Sequence, residues 1–185
     1  MLFRQFSHSL LARISEPSPF IQLVLGPRQV GKTTGVKQVL ERLSLPSLFA
    51  SADLPSPPSA DFIVSHWEQM RRMKGRRILV LDEVQKIPNW SNTIKGLYDN
   101  DRRDHDLIII LLGSASLSFT VGAGDSLAGR FEILPVPHWS GAECREAFGW
   151  DLDTYLMFGG YPAPAFLIKE IDRWQSVIRD GIIEP

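Results

Sequence analysis

Two periodicities alternate along this chain. Short apolar runs at Ile21–Leu25, Ile78–Leu81 and Leu107–Leu112 are too brief for helices and nearly continuous, the pattern of parallel strands buried on both faces. Ser47–Ala50 and Phe131–Val136 read as two further strands. Between them, apolar residues return every three or four positions: Phe3, Phe6, Leu10 and Ile14; Val36, Val39, Leu40 and Leu43; Trp90, Ile94, Leu97 and Tyr98. A helix is expected over Ala60–Lys74, ending at Gly75, and Ile168–Arg179 also reads as helical. Pro17 and Pro19 separate the first helix from the first strand, Pro46 stops the second helix near Ser44, and 53–59 is a proline-rich loop. Strands alternating with helices predict a three-layer α/β/α fold around a mainly parallel sheet with right-handed crossovers.

The first strand runs directly into Gly26-Pro27-Arg28-Gln29-Val30-Gly31-Lys32-Thr33-Thr34, a complete phosphate-binding loop. Gly26 and Gly31 permit the close approach through which backbone N–H groups wrap a β-phosphate, and the helix opening there aims its positive end at the same anion. Lys32 is expected to neutralise the β- and γ-phosphates and the Thr33 hydroxyl to ligate magnesium. The third strand ends in Asp82-Glu83, a Walker B arrangement. Asp82 would hold the metal and Glu83 would polarise a water for attack on the γ-phosphorus. The fourth strand ends in Gly113-Ser114, and Ser114 is placed to sense the γ-phosphate or its attacking water, helix capping being the other reading of that serine.

Composition narrows the picture little. The 185 residues give room for one α/β domain and a small appendage, with 44% hydrophobic and 22% charged residues. A net charge of −1 supplies no electrostatic case for nucleic acid. The one basic cluster, Arg71–Arg77, reads first as a solvated helix end. A single cysteine, Cys144, rules out an intramolecular disulfide and fits a cytoplasmic location, and no apolar run is long enough to cross a bilayer. His8, His66, His105 and His138 have no metal-site spacing.

The kind of triphosphate enzyme is also constrained. No Asn-Lys-x-Asp guanine reader occurs, and the second Walker B carboxylate suits a water nucleophile better than a small-metabolite acceptor. Arg130 follows the glycine-rich 121–125 segment and is a candidate for stabilising the transferring phosphoryl group, in cis or from a neighbouring subunit; a structural salt bridge is the alternative.

Together with the loop, Asp-Glu-Val-Gln-Lys-Ile-Pro-Asn-Trp at 82–90, Gly-Ser-Ala-Ser at 113–116, Ser-Leu-Ala-Gly-Arg at 126–130 and Phe-Gly-Gly-Tyr-Pro at 158–162 resemble the signatures of the AAA-type (AAA_14) ATPases of bacteria and archaea. In that family a nucleotide-binding core precedes a second domain of unassigned function, the DUF4143 architecture. The resemblance implies a P-loop NTPase fold of the AAA type, ATP and magnesium as ligands, Walker A at Gly26–Thr33, Walker B at Asp82 and Glu83, and a sensor at Ser114. It places an ATPase core at 1–137 and a short helical extension at 138–185, the start of a second domain whose remainder is missing, with any helical lid vestigial. The implied activity is ATP hydrolysis coupled to an unidentified protein partner, a second copy of the chain among the candidates. A nucleotide-gated interaction module and a DNA-associated ATPase are the rival readings.

Overall fold

The computed structural model describes residues 2–17, 20–101, 106–114 and 127–183. The glycine-rich segment 121–125, Ser116 and His105 lie outside them. Helix α1 (Gln5–Ile14) leads to β1 (Ile21–Gly26), α2 (Lys32–Leu43), β2 (Ser47–Ser51), α3 (Ala60–Arg71) and β3 (Arg77–Asp82). A 3-10 turn (Val84–Lys86), α4 (Trp90–Asn100), β4 (Leu107–Ser114) and β5 (Phe131–Pro135) complete the core. The strands form one sheet in the order β2-β3-β4-β1-β5, every neighbouring pair parallel. This is the three-layer α/β/α arrangement around a parallel sheet that the periodicities predict.

Strand alternation divides the core. Ile21, Leu23, Leu25, Leu79, Leu81, Ile109 and Leu111 face Ile63, Trp67 and Met70 of α3 and Trp90 and Ile94 of α4. Val24, Ile78, Val80, Ile108, Ile110 and Leu112 face Phe6, Leu10 and Ile14 of α1 and Val36 and Val39 of α2. Both faces of β1, β3 and β4 are therefore sealed by helices, which is why those strands read as nearly continuous apolar runs. Strand β4 lies between β3 and β1, so the ends of β1 and β3 are separated by one strand at the carboxyl edge of the sheet.

Helix α3 stops at Arg71, three residues before the predicted Lys74. The Met70 carbonyl accepts from the Met73 amide and, at 2.6 Å, from Nε of the buried Arg77, which turns the chain toward β3. The basic cluster is accordingly drawn into structure: Arg71 pairs with Asp101 and Glu68, Arg76 donates to the carbonyls of Ile14 and Glu16, and Arg77 to that of Gly75.

Beyond β5, α5 (Gly141–Phe148), α6 (Leu152–Phe158), a 3-10 turn (Ala163–Leu167) and α7 (Ile171–Ile178) pack around a small cluster of Cys144, Trp150 and Ala165. Ser140 caps α5 in a reciprocal box with Glu143. A buried arginine ties this extension to the core. Arg4 holds both carboxylate oxygens of Glu143 at 2.8 and 3.1 Å and donates to the carbonyls of Val30 and Pro137.

Candidate nucleotide site

The loop after β1 is shaped by two backbone requirements. A Cβ on Gly26 would sit 2.1 Å from the Val136 carbonyl oxygen, because the Val136 amide donates to Leu25 and draws β5 against the end of β1. Gly31 adopts φ +90°, the left-handed conformation that turns the chain into α2. Gln29, at φ 61°, shares that region without glycine's freedom. Helix α2 begins with no acidic residue and no side-chain cap in its first turn, leaving its N-terminal amides open to an anion.

Lys32, 7% exposed, folds back over the loop and donates to the carbonyls of Gly26 and Pro27 at 2.9 and 2.6 Å. Burial is the strongest influence on its ammonium and lowers its pKa; Glu83 and Asp82 oppose that shift and Arg28 adds to it. An anion in the loop would offset the cost of that desolvation by favouring the charged ammonium. The Thr33 hydroxyl donates to Asp82 Oδ2 at 2.9 Å, so the two expected metal ligands already converge. Two hard oxygens suit magnesium, which keeps several waters and takes few protein ligands.

Glu83 follows the strand at φ 54°, and this left-handed residue turns the chain into the 3-10 turn. Glu83 lines a cavity of about 400 Å³ together with Arg28, Gln29, Gly31, Lys32 and Thr33 of the loop region and with Asp53 and Lys86. Lys86 pairs with Asp53, and that hydrogen bond holds the Asp53 carboxyl below the usual carboxylate range. Gln85 Nε2 donates to Glu83 Oε2 at 2.6 Å. Ser114 lies beside the loop, in register with Gly26 across the β1–β4 pair.

Arg130 stands apart. Its carbonyl accepts from the Ile21 amide at the first residue of β1, whereas the phosphate loop begins at the last. At about 3.3 Å per strand residue, five residues put it about 16 Å from the loop, at the opposite edge of the sheet. Its guanidinium is engaged with Asp99 of α4 at 2.7 and 2.9 Å.

A second cavity, of about 820 Å³, opens on the other side of Gln29 and Gly31. Leu2, Trp139, Phe148 and Pro162 supply apolar walls, and Thr34 and Gln38 of α2 line it as well. Trp139 Nε1 donates to the Val30 carbonyl at 3.0 Å, joining this cavity wall to the loop. Apart from Thr34, which belongs to the loop motif, and Pro162, which belongs to the 158–162 signature, sequence reasoning did not find these residues. They come from positions 2, 34–38 and 139–162, and the Phe158–Pro162 signature was the one local sign that this part of the chain serves a site.

A family model described as an AAA domain, AAA_14, matches residues 18–144. Two curated relatives, the uncharacterized proteins Rv2008c of Mycobacterium tuberculosis and Mb2031c of Mycobacterium bovis, are each 30% identical over 186 aligned residues. That alignment takes in 99% of this chain but 38% of each relative, so the chain spans under two-fifths of their length. Among solved structures, the Holliday junction branch migration motor RuvB of Thermotoga maritima matches with a TM-score of 0.56 at 17% identity, over 77% of this chain and 46% of that one. The ORC1 protein of Aeropyrum pernix, in complex with DNA, matches with a TM-score of 0.59 at 15% identity, over 97% and 59%. At such identities the likeness is one of fold.

Proposed function

Because this chain belongs to the AAA_14 family of AAA domains, we propose that it binds ATP with magnesium and hydrolyses the β–γ phosphoanhydride. The observation that carries the reading is convergence: Lys32, Glu83 and Thr33, whose hydroxyl bonds Asp82, meet at one cavity from two strand ends. The triphosphate lies along the loop from Gly26 to Thr34, with Lys32 transferring its hydrogen bonds from the loop carbonyls to the β- and γ-phosphates. Thr33 and Asp82 would hold magnesium, which when bound supplies charge neutralisation of the phosphates. Glu83 orients a water and takes its proton, and Ser114 stands at the sheet edge as a helper to that water. The base occupies the apolar cavity, stacked against Trp139.

Arg130 acts, in this reading, on the phosphates of a neighbouring copy, since its own loop is at the other edge of the sheet. The nucleotide state passes to a partner through the extension. The Val30 carbonyl is held by both Arg4 and Trp139, and the Gln29 side chain donates to the Gly181 carbonyl at 3.2 Å, so the loop is tied to the extension at Trp139 and Gly181. That coupling also favours the interaction-module reading, in which ATP binding alone changes partner affinity. DNA is the weaker partner, because Arg71, Arg76 and Arg77 are engaged within the fold. Among the described residues no helix is long and apolar enough to cross a membrane. Calorimetric titration of ATP with magnesium tests the reading. Saturable binding of one nucleotide per chain is expected, and a featureless titration overturns it.

A further inference from the structure

We propose that Gln85 is a positioning residue for the water-activating carboxylate: its amide anchors Glu83 Oε2, leaving Oε1 as the oxygen that meets the attacking water. The proposal rests on the hydrolase reading above and names a residue that reading did not require.

Three observations carry it. Gln85 Nε2 donates to Glu83 Oε2 at 2.6 Å, a close contact of the kind a carboxylate acceptor favours. Glu83 is held at φ 54°, so the carboxylate leaves the chain at a kink that aligned helical neighbours would not share, and residues two apart come face to face. The third is the other end of the same amide. Gln85 Oε1 is buried and has no hydrogen-bond partner among the described residues.

The orientation of the amide follows from chemistry. An ionised carboxylate only accepts, so the nitrogen must face Glu83 and the oxygen must take the unsatisfied place. Among the described residues the bond to Glu83 is the hydrogen bond that this amide makes, and it orients the side chain. The 3-10 turn supports the geometry, with the Lys86 amide donating to Glu83 and the Ile87 amide to Val84 at 3.0 Å each. With one carboxylate oxygen engaged and the turn braced, rotation of the Glu83 carboxylate is restricted. A general base held in this way keeps one lone-pair direction trained on the cavity, and the catalytic value of such alignment is large.

The test replaces Gln85 with methionine, which keeps the length and volume and removes the donor. Turnover of ATP should fall roughly 10- to 100-fold while ATP affinity stays within about twofold. A role through Glu83 alone also predicts non-additivity: Glu83→Gln with Gln85→Met should be no slower than Glu83→Gln alone. Independently of turnover, the Gln85 side-chain amide resonance should move in Glu83→Ala, since the carboxylate that polarises it is gone. Unchanged turnover in Gln85→Met, additive losses in the double variant, or an amide resonance indifferent to Glu83→Ala would each overturn the role of Gln85. No turnover in the unmodified protein would instead sink the hydrolase reading, and this proposal with it.

Discussion

Lys32 shows how a single side chain is prepared for a ligand. It is buried, its charge is desolvated, and its hydrogen bonds go to two loop carbonyls that offer only partial negative charge. A phosphate offers full charge in the same place. Lys32→Ala should therefore weaken ATP binding about 10- to 100-fold, the equivalent of about 1.5–3 kcal/mol for hydrogen bonds to a charged group. Titration of the variant checks this, and parental affinity would remove Lys32 from the site. The role proposed for Lys32 was legible because the loop motif is contiguous in sequence. Gln85 was legible as part of a signature, but its partner was not, because the contact depends on the left-handed turn at Glu83, a conformation that the residue type does not announce.

At the level of elements, period did most of the work. Strands buried on both faces produce continuous apolar runs, and helices covering one face produce stripes, so β1 to β5, α1, α2 and α4 were all readable in advance. The end of α3 was missed because its stop signal, Arg77 on the Met70 carbonyl, acts through tertiary structure. The apolar cavity was missed for a related reason: its walls meet only after the extension folds back onto α1 and α2. Arg4 and Glu143 fasten that extension. Burial alone would push the Glu143 carboxyl up, but hydrogen bonds from Arg4 and Ser140, with the Arg4 charge, outweigh it and hold the carboxyl below the usual range. A carboxyl depressed in the folded state stabilises above its unfolded value, about 4.3, and that contribution disappears as pH falls through the folded value. Amides of α5 should therefore lose hydrogen-exchange protection below about pH 4 before those of β1 and β4. In Glu143→Gln the α5 amides should be less protected at neutral pH and should not show the acid step; an acid step of parental size would contradict the assignment.

For the whole molecule, the decisive geometry is the opposition of two edges. The phosphate loop, Asp82, Glu83 and Ser114 occupy the carboxyl edge of the sheet, and Arg130 occupies the amino edge, paired with Asp99. The pair is partly open to solvent, so an anion from outside can reach the guanidinium that Asp99 holds. If that anion is the nucleotide of a second copy, Arg130→Ala should bind ATP normally and hydrolyse it about 100-fold or more slowly. Adding Lys32→Ala, which brings an intact arginine but a damaged loop, should restore turnover. Slow hydrolysis without rescue would rule out action between copies, and normal hydrolysis by Arg130→Ala alone would leave Arg130 as the structural partner of Asp99.

The central claim is that Glu83 activates water at a nucleotide held by the loop, and its most direct test is phosphate release at saturating ATP and magnesium by the unmodified protein and by Glu83→Gln. The amide preserves size and loses basicity, so the variant should retain nucleotide and turn it over about 100-fold more slowly. Equal rates of phosphate release from the two proteins would contradict the account.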